Sequence, residues 1–417
     1  MLTGVPERAI RLSAGLAIMA AVIWMPLVMS SGQEPALAQG TPGLARAAEL
    51  PELRAIDVLR AWRLSRGQGV TVAVLDTGAD PGAPDLTGSV TRGADFTSGA
   101  DPAGYHPPHL HGTYIASLIA GHGSGAGRAE GIIGVAPRAR VLSVRVILDD
   151  QEPGFAAFNE NAAYYDAIAK GLRYAVRHGA DVINMSLGST FATRGLRSAV
   201  GYAISRGVVV VAAAGNNGVD RRRYTPYVYP ASFTGVLSVA AVDDGGAPAP
   251  FSARNASVLV SAPGVDVPGA GPGGTYITGS GTSPASALVA GTAALIRSRF
   301  PGLSQALVIQ AIIDSTRRRP PGGYSTRVGF GEVDAAAAVA SAARLAAGRQ
   351  SAGLAPAAHF GAGPERPIPV VHRDTILIAG IALISAIALG CAATAIARLV
   401  FADRPGHRGR GAHARGG

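Results

Sequence analysis

Short apolar runs rich in β-branched residues alternate with helix-like segments through the middle of the chain. The apolar runs are nearly continuous, which is typical of strands covered on both faces. They predict strands at 70–75, 140–146, 182–185, 208–213, 236–241 and 258–261. The segments between and after them predict helices at 111–120, 161–178, 193–206, 283–299, 304–314 and 334–346. This alternation predicts an α/β fold with a mainly parallel central sheet.

Two longer apolar runs lie near the two ends of the chain. The first spans about 12–29, follows two arginines and precedes Ala36-Leu-Ala38. This pattern is typical of a secretory signal peptide, here 1–38, although an uncleaved N-terminal anchor is the alternative. The second run, from Thr375 to Ile396, carries no charge and is long enough to span a bilayer as a helix. Arginines follow it, which predicts a cytoplasmic tail and an exported body.

These features divide the chain into six parts. After the signal peptide comes an N-terminal arm, 39–66, with a short helix expected at 55–64. We expect the arm to stay packed on the domain, because it is short for a folding chaperone. The globular domain, the Gly/Ala/Pro-rich linker, the transmembrane helix and the basic tail follow at 67–346, 347–374, 375–397 and 398–417.

Charge and cysteine content narrow the classes of function. The net charge is +10, yet Lys170 is the only lysine, and Gly171 follows it, so the chain has no Walker A loop. The arginine triplets 221–223 and 317–319 lack interleaved aromatic residues. They read as solvated surface charge, and we expect no nucleic-acid partner. Cys391 is the only cysteine, so an intramolecular disulfide is impossible.

Four polar residues stand where a parallel sheet would bring them together. Asp76 and Asn216 follow predicted strands, whereas His111 and Ser283 open predicted helices. Ligands of such sheets bind beyond the carboxyl ends of the strands. A serine hydroxyl needs a base, a histidine acts as one near neutral pH, and a carboxylate orients the histidine. An amide can donate to an oxyanion. The set predicts a serine protease.

Each motif alone has a second interpretation. Asp-Thr-Gly at 76–78 also occurs in aspartic proteases, but those need two copies, and this chain has one. Aspartate and serine are also common helix caps. His106 and His109 stand close to His111 and suggest a metal cluster, but prolines mark a loop there and no acid completes a zinc set. We therefore expect loop histidines and no metal.

The order Asp, His, Ser along the chain is that of subtilisin. With the segments Val72-Ala-Val-Leu-Asp-Thr-Gly78, His111-Gly-Thr113 and Gly279-Ser-Gly-Thr-Ser283, the domain resembles the subtilisin-like serine proteases. The resemblance implies a three-layer fold, a triad and an oxyanion donor. It also implies two walls of the P1 pocket. The residues concerned are Asp76, His111 and Ser283 for the triad, Asn216 for the donor, Ser186, Leu187 and Gly188 for one wall, and Ala213, Ala214 and Gly215 for the other.

Signal peptide, protease domain, proline-containing linker, single membrane helix and short tail together resemble the mycosins. These are the membrane-anchored subtilases of type VII secretion systems. The resemblance implies a serine endopeptidase that acts on protein or peptide substrates at the cell membrane, with secretion components as partners. The chemistry requires no cofactor, and the sequence leaves structural calcium open. The alternative is a structural subunit of the secretion machine whose protease site is silent.

Two positions depart from the usual family pattern. Pro284 directly follows the serine, and proline disfavours helical dihedrals in the residue before it. The segment Tyr227-Val-Tyr-Pro230 aligns with the base of the P1 pocket and has Val228 where many subtilases have glycine. Val228 predicts a preference for small P1 residues, unless its side chain points away from the pocket.

Overall fold

The computed structural model describes residues 36–37, 41–218, 224–352 and Ala392. Its centre is a sheet of seven parallel strands, β2 Thr71–Asp76, β3 Val90–Asp95, β6 Arg140–Arg145, β7 Val182–Met185, β8 Val209–Ala213, β9 Val236–Val242 and β10 Val260–Pro263. Their order across the sheet is β10-β9-β8-β7-β2-β6-β3. The predicted α/β class and parallel sheet are confirmed.

Helices cover both faces of this sheet. One face carries the helices that hold the candidate site residues, and the other carries the two crossover helices between β6 and β8. The helices are α1 Pro42–Ala55, α2 Val58–Ala61, α3 Leu110–Ala120, α4 Phe155–Glu160, α5 Ala167–Arg177, α6 Arg194–Ser205, α7 Thr282–Arg299, α8 Gln305–Asp314 and α9 Ala335–Ala352.

Successive residues of each central strand enter different cores. In β2, Val72 and Val74 pack with α3 and α7, whereas Ala73 and Leu75 pack with α5 and α6. Strands β7, β8 and β9 are buried along their whole length. Because side chains alternate between the faces of a strand, a strand covered on both faces buries nearly all of its side chains, and most of them are apolar. This explains the continuous apolar runs in the sequence. Asn184 in β7 and Ser238 in β9 are the polar residues in these three strands.

Several smaller elements carry too few apolar residues for the sequence pattern to indicate them. A three-stranded sheet has the order β1-β12-β11 and a hairpin pairs β4 with β5. Their strands are β1 Ala36–Leu37, β4 His122–Ser124, β5 Glu130–Ile133, β11 Val267–Ala270 and β12 Tyr276–Gly279. Strand β3 is largely solvent-accessible and was also unforeseen.

Only one turn of the helix expected at 55–64 in the N-terminal arm is present, and a longer helix precedes it. The arm forms α1, which ends at Ala55, and the single turn α2. Pro51 lies inside α1. A proline inside a helix is unusual, so nothing in this segment indicated α1.

The arm packs closely on the rest of the domain. Trp62 Nε1 donates to the Val135 carbonyl over 2.8 Å, and Arg46 Nε donates to the Gly131 carbonyl over 2.7 Å. Leu53 and Ile56 are fully buried in the core that also holds α3 and α7.

None of the described helices is long and apolar enough to cross a membrane. The described residues leave out the linker beyond 352, the predicted transmembrane helix at 375–397 apart from Ala392, the tail and nearly all of the signal peptide. Helix α9 continues through 347–352, where the linker was expected to begin.

Two carboxyl groups of α1, those of Glu49 and Glu52, are buried. Glu49 Oε2 accepts a hydrogen bond from the Ile133 amide over 2.8 Å, and burial raises the pKa of Glu49 well above its ordinary range. Burial raises the pKa of Glu52 to about 7, and the charges of Asp244, Glu332 and Asp266 add to this effect. In the folded chain, both carboxyl groups therefore hold their protons more tightly than a carboxyl group in water does.

We predict that Glu52→Gln stabilises the protein at pH 8 but not at pH 4. The pKa of Glu52 is about 7 in the folded chain against an ordinary 4.5, so its neutral form favours the fold below pH 4.5, and this contribution is lost as pH rises to 7. Glutamine stays neutral, so the gain at pH 8 is at most about 3 kcal/mol, from about 1.4 kcal/mol per pKa unit.

Thermal unfolding at both pH values measures this effect, with Ser283→Ala as the background to prevent self-digestion. Glu160→Gln, at an exposed carboxylate, is the control. An equal change of Tm at pH 4 and pH 8 would show that ionisation of Glu52 does not limit stability.

Candidate active site

The four candidate residues occupy the carboxyl-end edge of the central sheet. Asp76 is the last residue of β2, and Asn216 follows the end of β8. His111 and Ser283 are each the second residue of a helix, α3 and α7 respectively. These two helices pack against each other on the same face of the sheet. The structure thus gathers residues from widely separated parts of the chain.

A short hydrogen bond joins Asp76 to His111. The distance from His111 Nδ1 to Asp76 Oδ1 is 2.7 Å, and the Thr77 amide donates to the same oxygen over 2.8 Å. Asp76 is fully buried, whereas His111 is partly accessible. Because a carboxylate accepts, His111 Nδ1 carries the proton, and Nε2 is left as the basic nitrogen.

Two glycines allow this approach of α3 to β2. A Cβ on Gly112 would overlap the Gly78 carbonyl oxygen, so only glycine fits there. Gly78 has φ +93°, a left-handed conformation that other residues rarely adopt. The Gly112 amide donates to Thr77 Oγ1 over 3.0 Å. These contacts explain the glycines of Asp-Thr-Gly and His-Gly-Thr physically.

The neighbouring histidines have different surroundings. His109 precedes α3 with φ 56°, and its Nδ1 donates to the Thr77 carbonyl over 2.7 Å. A Cβ on Gly78 would lie 2.5 Å from this ring, so His109 is packed into the turn rather than held in an open loop. His106 is exposed. Within 41–218 and 224–352, no group of three or more acidic, histidine or cysteine side chains could hold a metal ion.

Ser283 lies in the first turn of α7, despite the proline that follows it. The helix begins at Thr282, one residue before the predicted start, so the restriction that Pro284 places on Ser283 does not keep Ser283 out of the helix. Pro284 is the third residue of the helix, where an N–H has no intrahelical acceptor to lose. Ser283 Oγ donates to the Ser186 carbonyl over 3.2 Å.

Thr282 fixes the orientation of Asn216. The Asn216 Oδ1 atom accepts from the Thr282 amide over 2.8 Å and from Thr282 Oγ1 over 2.9 Å. Thr282 Oγ1 in turn accepts from the Gly215 amide over 3.1 Å. Since both donors face Oδ1, the amide nitrogen Nδ2 is the end of Asn216 left for a ligand. Sequence reasoning missed Thr282, although it directly precedes Ser283.

Val228 fills the space between the two segments expected to form the pocket walls. Its side chain is buried. A Cβ on Gly188 would overlap Val228 Cγ1, and a Cβ on Gly215 would lie 2.8 Å from Val228 Cγ2. The chain next to Val228 is held by paired hydrogen bonds of 2.9 and 2.7 Å between Ser189 and Tyr229.

A second carboxylate, Asp149, lies beside the histidine. Its Oδ2 accepts from the Leu110 amide over 3.1 Å and its Oδ1 from the His111 amide over 3.3 Å. Burial raises the pKa of Asp149, whereas the nearby charge of His111 lowers it. Sequence reasoning missed this residue, since Asp149 follows β6 in a loop without a motif.

Fold and geometry together define an α/β protein with a serine, a histidine and a carboxylate at one sheet edge. The chain belongs to the subtilase family of serine proteases, because the model of that family matches residues 67–331. Among curated proteins, thermitase from Thermoactinomyces vulgaris is 37% identical over 261 residues, which are 63% of this chain and 85% of thermitase.

Solved structures give a more specific likeness. The protease MycP3 from the type VII (ESX-3) secretion system is 30% identical, with a TM-score of 0.60, over 73% of this chain and 91% of MycP3. MycP1 without its N-terminal propeptide is also 30% identical, with a TM-score of 0.58, over 69% of this chain and 96% of MycP1. The protein is therefore a subtilisin-like serine protease related to the mycosins.

Proposed function

We propose that this protease is a membrane-anchored, extracytoplasmic endopeptidase that uses Asp76, His111 and Ser283 as its triad. The observation that carries the proposal is the 2.7 Å hydrogen bond from His111 Nδ1 to the buried Asp76. It leaves Nε2 of His111 as a base on the helix that packs against the helix of Ser283.

In the proposed reaction, Ser283 Oγ attacks the scissile carbonyl carbon and passes its proton to His111 Nε2. Asp76 stabilises the imidazolium that forms. The peptide oxygen becomes an oxyanion and accepts a hydrogen bond from Asn216 Nδ2. His111 then gives its proton to the leaving amine, which yields an acyl-enzyme. A water molecule, deprotonated by His111, hydrolyses the acyl-enzyme and restores Ser283.

Thr282 prepares Asn216 for this task. Both of its hydrogen bonds reach the amide oxygen, so Asn216 is oriented before substrate arrives. A donor that is already in place has no reorganisation cost during the reaction. Ser186, Leu187 and Gly188 on one side, and Ala213, Ala214 and Gly215 on the other, are the proposed substrate-binding walls.

The proposed location rests on sequence segments outside the described residues. The apolar run at 375–397 and the arginines after it support a single membrane helix with a cytoplasmic tail. The signal-like segment 1–38 supports export. The likeness to MycP3 of the ESX-3 system supports a role with type VII secretion components.

We also propose that Val228 limits the P1 pocket to small side chains. Its two methyl groups point to Gly188 and Gly215, which belong to opposite walls. A large aromatic side chain would have to occupy the same volume. This position of the side chain favours the filled pocket over the alternative in which Val228 points away.

Ser283→Ala is expected to abolish peptide hydrolysis while the domain stays folded, because the loss of an activated nucleophile costs several orders of magnitude in rate.

Asn216→Ala should keep the nucleophile and lower kcat by about 10²–10³-fold, the loss known for such a donor in subtilisin. Steady-state kinetics and fluorophosphonate labelling of both variants measure these effects.

Unchanged hydrolysis by pure Ser283→Ala would remove Ser283 from the mechanism. An intact secretion phenotype with an inactive Ser283→Ala protein would instead favour the structural-subunit alternative.

The intact protein should sediment with membranes, and truncation before Thr375 should release it, because the uncharged run is the only proposed anchor. Protease added to intact cells should remove the body and spare an epitope on the tail. An accessible tail epitope in intact cells would refute the proposed topology.

Val228→Gly should raise kcat/KM for substrates with phenylalanine at P1 by about ten-fold or more, since overlap in a filled site commonly costs about 1–3 kcal/mol. Substrates with alanine at P1 should change little and are the control. A P1 peptide library profiled with both proteins measures the ratio. Equal cleavage after phenylalanine and alanine by the wild type would contradict the filled pocket.

A further inference from the structure

The first turn of α3, which carries His111, is capped by a residue from elsewhere in the chain. His109 occupies the cap position in a left-handed conformation, and its side chain makes no capping bond. The described first turn has no acidic residue. Asp149 takes this role instead, because its two oxygens accept from the amides of Leu110 and His111.

A network of ion pairs and hydrogen bonds holds Asp149 in place. The Asp149 amide donates to Glu152 Oε1 over 2.8 Å, and Glu152 Oε2 pairs with Arg145 Nη2. Arg145 also donates to Asp101 over 3.0 Å and to Asp95 over 3.2 Å. Arg145 ends β6, next to Asp76 of β2 in the parallel register. Asp149 is therefore fixed to the same sheet edge as Asp76.

We propose that Asp149 is a positioning residue for the protease reaction: a second buried carboxylate that orients His111 through its backbone amide and stabilises the imidazolium. The inference rests on the proposed function, in which His111 is the base. A carboxylate at a helix N-terminus also interacts favourably with the helix dipole, which opposes a cation at the same end. The negative charge of Asp149 counteracts the unfavourable effect of the helix dipole on a positively charged His111.

The electrostatic contact between Asp149 and His111 acts in both directions. A positive His111 favours ionised Asp149 and lowers its pKa, so ionised Asp149 must favour the positive form of His111. The same reasoning applies to Asp76, which raises the pKa of Asp149 as a like charge. Loss of the Asp149 charge should therefore make His111 easier to deprotonate.

The other charged groups around this pair come from three elements. Asp76 lies on β2, and Arg145 and Glu152 belong to the end of β6 and the loop after it. In the loop before α3, burial raises the pKa of Tyr105, and the nearby carboxylates, Asp149 among them, raise it further. Burial raises the pKa of Glu152 to about 7. These neighbouring residues are the same in every variant below, so a difference between the pH profiles arises from the substitution at Asp149.

The test uses Asp149→Asn and Asp149→Ser in the full-length protein, with Asp150→Asn as the matched control. Asparagine keeps the shape of the side chain without its charge, and serine keeps a good cap without the charge. Asp150 is the adjacent carboxylate and is exposed. For each protein, kcat, KM and the pH dependence of kcat/KM are measured. The rate of fluorophosphonate labelling is followed over the same pH range, and it reports only folded molecules.

Both Asp149 variants should lose about ten-fold in kcat with KM nearly unchanged, since a small misplacement of a catalytic group is costly. The acid limb of kcat/KM and of labelling should move to lower pH by roughly one unit, the small end of the effect of a nearby opposite charge. Asp150→Asn should match the wild type. An acid limb that stays in place in both Asp149 variants overturns the inference, whatever happens to kcat.

The failure of this inference differs from failure of the proposed function. If Ser283→Ala is inactive and the Asp149 acid limb does not move, only the role of Asp149 is lost. If Ser283→Ala remains active, the assignment of the triad itself is wrong.

Discussion

The candidate site depends on the contact between the turn after β2 and the start of α3. Gly112 fits against the Gly78 carbonyl only because it has no side chain, and Gly78 has φ +93°. This contact brings His111 within 2.7 Å of Asp76. A side chain at either glycine would push α3 away from the sheet edge. Asp76 can therefore orient His111 only because Gly78 and Gly112 have no side chains.

The sheet and the four motif residues could be predicted because their causes lie in local sequence. Strands such as β7 and β8 are buried along their whole length, so an apolar residue is expected at nearly every position. The sequence also placed Asp76 and His111 at element ends, which is where the structure has them. By contrast, strand β3 is largely accessible, and nothing in its residues marked it as part of the sheet.

The residues that sequence reasoning missed act through contacts between distant segments. Thr282 matters because its amide and hydroxyl meet Asn216, 66 positions away in the chain. Asp149 matters because it meets the amides of α3, 38 and 39 positions away. Neither pairing leaves a spacing pattern in one sequence. Helix α1 was not predicted, and it contains Pro51, a residue that normally argues for a helix boundary.

Among the described residues, the carboxylates close to His111 outnumber the positive groups that could neutralise them, and this excess of negative charge affects the proposed reaction. Asp76 bonds to the ring and Asp149 to the backbone amide of His111, whereas Arg145 is already paired with Glu152, Asp101 and Asp95. Within 41–218 and 224–352, no arginine or lysine forms an ion pair with either of the two buried carboxylates Asp76 and Asp149. Protonation of His111 during attack by Ser283 would supply a cation beside them. Fixed charges of this kind stabilise the charged state of a reaction more than the neutral ground state, because they are arranged before it forms.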